Sequence, residues 1–228
     1  MDLSALILAD SRFPGGGHVH SGGLEEAVSR KLVRSERDLP GFLFGRLRTA
    51  GSLAAVFAAA STHAAARSVQ EGHWRRLDAE LDARTPSPAQ RLASRAQGRG
   101  TARAGRVAWP SPVLTALLAE TPRPHHPIVL GALVGVAGGS PFDAAMAVAY
   151  LAISGPAGAA VRLLGLDPFA VNAVVARLGD EVRRVSEQAA GVAGLDPAEL
   201  PAPGSPALDL FAEAHARHHE EEVRLFAS

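Results

Sequence analysis

The sequence predicts an all-α protein, a single-domain helical bundle of roughly ten helices with a mobile N-terminal end and a mobile C-terminal tail. Three observations carry this. Apolar residues recur at spacings of three and four along most of the chain, with no convincing two-residue alternation. Hydrophobic residues make up 47% of the chain and aromatic ones only 5%, with alanine commonest, so the helices pack through small side chains. A chain of 228 residues can bury about 70% of its unfolded surface in one core without staples.

Taken in order, Leu3, Leu6 and Ile7 give a short helix that stops before Pro14-Gly15-Gly16-Gly17, a run no helix or strand interior tolerates cheaply. Leu24, Ala27 and Val28 start the next, with Ser21 or Gly22 as cap and Glu25 and Glu26 in the first turn. Asp38 before Leu39-Pro40 opens one long helix, or two end to end, through Phe42, Leu43 and Leu47 into an Ala-rich stretch. Trp74, Leu77 and Leu81 share one face of a helix over His73 to Ala83, closed by Thr85-Pro86-Ser87-Pro88. Ala89 to Val107 reads as a helix weakened by Gly98, Gly100 and Gly105.

After a short apolar piece, Thr121 to Pro127 forms a stiff Pro-rich connector that leaves His125 and His126 on the surface. The core is Ile128 to Ala137, Phe142 to Ile153 and Gly158 to Leu164, joined by Gly/Pro turns. Ser140-Pro141-Phe142-Asp143 caps the second piece, and Arg162 is buried in the third. Val171, Val174, Val175, Leu178, Val182 and Val185 continue at helical spacing to about Ala190. Gly191 to Pro206 is too rich in Pro, Gly and Ala for regular structure, so it serves as a mobile linker. It divides a main helical domain, 1–206, from a C-terminal partner-binding tail, 207–228.

Composition excludes several function classes. Lys+Arg 23 balances Asp+Glu 23, so no overall field gathers nucleic acid or an anionic membrane. There is no cysteine, which removes disulfides, thiolate metal sites and cysteine nucleophiles. The single lysine, Lys31, follows no phosphate-cradling glycine loop, and neither a Gly-x-Ser-x-Gly elbow nor His-Glu-x-x-His occurs. The N-terminus has no basic region ahead of its apolar run, which Asp10 cuts short, so a cytoplasmic location is expected. Two charge-free stretches, Thr49 to Ala66 and Ala144 to Val161, lack the large-aliphatic density of membrane spans and read as central bundle helices.

The most specific run is Asp10-Ser11-Arg12-Phe13-Pro14-Gly15-Gly16-Gly17-His18-Val19-His20-Ser21-Gly22-Gly23-Leu24-Glu25. It resembles the N-terminal signature of the urease accessory protein UreF family, departing from it at His18, where an aromatic is usual. Ser94-Arg95-Ala96-Gln97-Gly98 is similar to the family's Ser-x-Gln-Gly region and Ala159-Ala160-Val161-Arg162-Leu163 to its Ala-Ala-x-Arg-Leu segment. Leu208-Asp209-Leu210, His218 and Arg224-Leu225-Phe226-Ala227-Ser228 resemble its C-terminal motifs, with His219 standing where glutamate is usual. The resemblance implies an all-α, non-catalytic homodimer. It also implies binding to UreD (UreH) and the GTPase UreG, so that nickel reaches apo-urease, with no tightly held cofactor and at most transient nickel.

The residues themselves offer three candidate sites. His18 and His20 in the glycine loop, and His215 and His219 one turn apart in the tail, are candidate metal ligands. They motivate an alternative reading as a His-dependent metalloenzyme or independent metal-binding protein. The plainer reading of Pro14, Gly16, His20, Ser21, Gly23 and Glu25 is a structural loop with glycine at positive φ. Arg91, Arg95, Arg99 and Arg103 recur every four residues with no acid between Asp82 and Glu120, which points either to partner docking or to pairing with acids elsewhere in the fold. Leu208, Phe211, His218, Arg224, Leu225 and Phe226 are the tail's expected partner contacts.

Overall fold

A computed structural model describes residues 2–16, 20–67 and 69–225, with side chains as far as 218. Among these there is no strand. The helices are α1 (Leu3–Ala9), α2 (Leu24–Ser29), α3 (Leu39–Arg46), α4 (Ser52–Ala65), α5 (His73–Ala83), α6 (Pro88–Ala108) and α7 (Pro112–Glu120). They continue as α8 (His126–Val136), α9 (Pro141–Leu164), α10 (Pro168–Arg177), α11 (Gly179–Gly191) and α12 (Pro206–Leu225). A π turn over Leu47–Gly51 joins α3 to α4, so the two alternatives for this stretch merge into one helix with a widened turn.

α4 is the central post, packed on α8, α9 and α11. Its residues from Ala55 to Thr62 are all buried, which is why this sequence is apolar on every side rather than along one stripe. α8 lies against it so closely that glycine is required. A Cβ on Gly131 would run into the Ala58 backbone, and one on Gly135 would stand 2.8 Å from the Thr62 carbonyl oxygen. Thr62 Oγ1 closes the seam by donating to the Gly131 carbonyl at 2.8 Å, or back along its own helix to Ala58 O at 3.0 Å. The uncharged stretches thus form the core of the bundle. Leu39–Ala65 and Pro141–Leu164 are nevertheless long and apolar enough to cross a membrane.

Several local expectations need correction. Ser154-Gly155-Pro156-Ala157 does not break the core into pieces: α9 runs unbroken from Pro141 to Leu164, with Pro156 inside it. The valine-rich repeat is divided at Leu178 into α10 and α11. Asp38 stands at the N-cap of α3 as expected, but its carboxylate gives no side-chain cap and turns back to accept from the Arg34 and Ser35 amides. The N-cap position of α2 is Gly23 rather than Gly22, in the left-handed region at φ 91°, and the Ser21 hydroxyl reaches in from two residues earlier to accept from the Glu25 amide at 3.4 Å. Arg162 is exposed. Within 191–206 the chain forms a 3₁₀ turn, Pro197–Glu199, and Leu200 is buried. Arg76 pairs with Asp196 at 2.7 Å and Arg84 Nη2 donates to Ala198 O at 2.8 Å, so side chains of α5 and its C-terminal cap hold this segment against the bundle.

Candidate interaction site

The signature loop is clamped by a residue that sequence reasoning did not single out. Pro156 has no N–H, so the carbonyl four residues earlier, Ala152 O, loses its helical donor. Arg46, at the end of α3, fills that gap: Nε donates to Ala152 O at 2.9 Å and Nη1 to Gly22 O at 2.7 Å. One guanidinium therefore repairs α9 and fixes the loop leading into α2. Burial lowers the Arg46 pKa to about 10, which leaves it cationic at neutral pH. Gly22 at φ 63° and Gly23 at φ 91° are required here by their backbone angles, and Gly22 doubly so, since a Cβ on it would strike both Arg46 and Pro156. Gly16, earlier in the loop, takes φ 77°.

The first half of the loop rests on α6. A Cβ on Gly100 would lie 2.9 Å from the Gly15 carbonyl, and one on Gly98 would collide with the Pro124 carbonyl. The glycines that lower the helix propensity of α6 are thus what allows two backbones to reach it. Beneath them lies a polar network. Asp78 Oδ1 accepts from the His125 amide at 2.9 Å, and its Oδ2 pairs with Arg95 at 2.8 Å. Asp82 Oδ1 meets Arg95 at 3.0 Å and His125 Nε2 at 2.8 Å. Burial opposes ionisation of Asp82, but its hydrogen bonds to His125 and Arg95 outweigh that and keep its pKa low. His125 is 1% exposed, and burial lowers its pKa, so the ring is neutral. Nε2–H then donates to Asp82, and Nδ1 accepts from Ser94 Oγ at 3.0 Å. His126 is half-buried, and burial together with the nearby His20 lowers its pKa to about 4. Of the two histidines expected on the surface, His125 is therefore internal and His126 half-buried.

α12 lies across this layer. Leu208 is buried against Gly23, the Arg30 guanidinium sits 5.9 Å from the Phe211 ring centroid, and His218 Nδ1 approaches the buried Glu26 at 3.4 Å. Toward α6, Glu213 accepts from Ser87 Oγ at 2.6 Å and from the Ala89 amide at 2.9 Å. A carboxylate thus sits on the N-terminus of α6, and the Ser87 hydrogen bond lowers its pKa. Loop, α6, α9 and α12 together enclose an open cleft of about 1660 Å³, lined in part by His20, Gln97, Thr101 and His126.

The UreF family model matches residues 33–179. A urease accessory protein UreF from Mycobacterium sp. (strain JLS) is 46% identical over 223 residues, 98% of this chain and 97% of its own length. Those of Mycolicibacterium vanbaalenii and Mycobacterium tuberculosis are 45% and 41% identical over 98% of this chain and 97% of their own. The chain belongs to the UreF family. The segments that resemble the family's motifs are the ones the fold gathers: the loop at 10–25, Ser94 to Gly98, and the start of α12 meet around one cleft. The Ala159 to Leu163 segment is on α9, with Gly158 and Arg162 at the same cleft.

The remaining candidates divide. Arg91 donates to Thr85 O and Pro86 O, and Arg95 is held by Asp78 and Asp82, so these two pair within the fold. Arg99 and Arg103 stand exposed on the outer side of α6. Leu208, Phe211 and His218 face α2 of this same chain. His215 lies 3.9 Å from Glu25, whereas His20 neighbours His126, so the two candidate ligands take different partners. Among the described residues no three His, Asp or Glu side chains group as a metal site would require. His18 and Phe226 lie outside the described residues, as do the side chains of His219, Arg224 and Leu225. Sequence reasoning missed Arg46, Asp78 and Asp82. A proline inside an apolar helix, which leaves one carbonyl in need of a donor, was the one readable sign of Arg46.

Proposed function

We propose that this chain is a non-catalytic scaffold of urease maturation that brings UreD (UreH) and the GTPase UreG together so that nickel is delivered to apo-urease. The coarser role, that of a urease accessory protein, is carried by one observation: relatives of that name match the chain at 41–46% identity over 98% of its length, through the signature loop and α12 as well as the bundle. The layout supports the finer reading. Many of the ionisable groups within the fold serve to fix helices to one another, as Asp78, Asp82 and Glu213 do, and the family-like motifs contribute Asp10, His20, Ser94, Gln97 and Arg162 to the polar lining of the cleft. A homodimer acting in the cytoplasm, with nickel passing as cargo, completes the proposal.

Co-purification tests it. Wild-type protein is expected to retain UreD, to recruit UreG through that complex, and to restore urease activity to cells lacking the chain. Failure to retain either protein would overturn the scaffold role. Metal-dependent hydrolysis by the isolated chain, or stoichiometric nickel bound without partners, would establish the metalloenzyme or metal-binding alternative instead.

A further inference from the structure

We infer that the outer face of α6 is a docking surface for an acidic, partly apolar patch on a partner protein. The inference rests on the scaffold reading and names the chemistry of one of its contacts. At about 100° per residue, Leu92, Arg99, Arg103 and Arg106 fall within a sector of about 60°, with Val107 about 40° beyond its edge. All are exposed, Leu92 by 61% and Val107 by 84%, while the opposite side of α6 buries Gly98, Thr101, Ala102 and Gly105. The helix is thus amphipathic in an unusual sense: its inner side is small and tightly packed, and its outer side is a cationic ridge flanked by aliphatic side chains.

Charge explains why this ridge needs a partner. No aspartate or glutamate occurs between Asp82 and Glu120, so α6 carries none of the i,i+4 carboxylates that ordinarily offset such a row. The fold neutralises the inner arginines: Arg84 pairs with Glu80, Arg91 approaches Asp82 at 3.8 Å, and Arg95 is bound by two aspartates. Among the described residues no carboxylate lies within ion-pair distance of Arg99, Arg103 or Arg106. Three like charges spaced by three or four residues repel one another, and a complementary acidic surface offsets that repulsion, which water and salt do only in part. A protein patch fits better than nucleic acid. The chain is neutral overall, and the face offers two aliphatic contacts but no aromatic platform on which bases could stack. Arginine flanked by apolar side chains is also the composition that protein interfaces favour.

The test uses the full chain with Arg99→Glu/Arg103→Glu, and Arg99→Ala/Arg103→Ala/Arg106→Ala as a second variant that introduces no new charge. Both are expected to keep wild-type helicity and melting temperature. Binding to purified UreD and to purified UreG is measured separately at about 50 and about 500 mM NaCl, either side of the range where screening takes hold. The expected result is at least a roughly tenfold loss of affinity for one of the two at low salt, with a shallower salt dependence, and retention of most affinity in Arg99→Lys/Arg103→Lys. If wild type binds its partners and both variants bind them within about twofold at low salt, the docking face is wrong and the scaffold reading stands. If wild type binds neither, both fall together. Saturable binding of a single-stranded RNA of about 20 nucleotides at near-physiological salt, abolished by the charge reversal, would overturn the inference in favour of nucleic acid.

Discussion

The α4–α8 seam and the contact of α6 with the His125 turn solve one geometric problem in two ways. In each, a glycine lets a helix approach another stretch of backbone: Gly131 against Ala58, and Gly98 against Pro124. The first seam is closed by apolar side chains and one threonine hydroxyl, with Val129, Leu130, Ala132 and Leu133 fully buried beside it. The second is closed by Asp78, Asp82, Arg95, His125 and Ser94, a network in which nearly every proton has an acceptor. Close approach therefore does not dictate the chemistry around it. The apolar seam resists changes of volume, whereas the polar seam resists loss of a partner. Only the polar one leaves a helix whose other side is free to carry charge.

The largest expected effect is on the apolar seam. Gly131→Leu has to drive α8 away from α4, which costs about 3 kcal/mol or more and is expected to yield insoluble or molten protein. Gly45→Ala, on an exposed stretch of α3 with open space around the position, serves as the control and is expected to be neutral or to stabilise by up to ~1 kcal/mol. Urea midpoints that differ little between the two would mean that the seam is far softer than its contacts imply.

On the polar seam the damage comes from an orphaned partner. Asp78→Ala removes the acceptor of the His125 amide and one of the two carboxylates on Arg95, an expected loss of about 2–3 kcal/mol in chemical denaturation. Removing Arg95 as well should recover part of it, because the second change deletes a charge the first left underpaired. Strict additivity of the two would show that they do not act as one network.

A third site joins both kinds of contact. Arg46→Met leaves Ala152 O without its donor inside a packed helix, at an expected cost of about 1–3 kcal/mol. Pro156→Ala restores an N–H four residues on. In that background Arg46→Met should cost about 1 kcal/mol less, and an unchanged cost would refute the repair of α9 by Arg46.

These residues also mark how far the sequence could be read. The all-α class, the span of α5 and the capping box of α9 follow from local rules, since caps and periodicity depend on neighbours within one turn. What was not legible depended on distant partners. Ser154-Gly155-Pro156 resembles a break until Arg46, over a hundred residues earlier, supplies the missing donor. His125-His126 between prolines resembles a surface turn until Asp78 and Asp82 arrive from α5 to bury it. The arginine row could be read as docking surface or internal pairing. The fold pairs its first half and exposes its second, because α6 extends beyond the reach of the two aspartates.

The last expected effect separates the two regions by pH. His126 has a folded-state pKa of about 4, below the ordinary histidine value of 6.5 from which burial lowers it. The unfolded chain therefore takes up a proton first as pH falls. The stabilisation from keeping this ring neutral is fully present above about 6.5 and is lost progressively as pH falls from there toward 4. His125, on the same turn, shifts in the same direction, also through burial. His126→Asn should flatten the decline in urea midpoint between about pH 6.5 and about pH 4.5, whereas Thr62→Val, in the apolar seam, should shift the midpoint equally at every pH. Equal slopes for wild type and His126→Asn would show that the His126 imidazole reaches water freely and contributes nothing to the acid sensitivity of this turn.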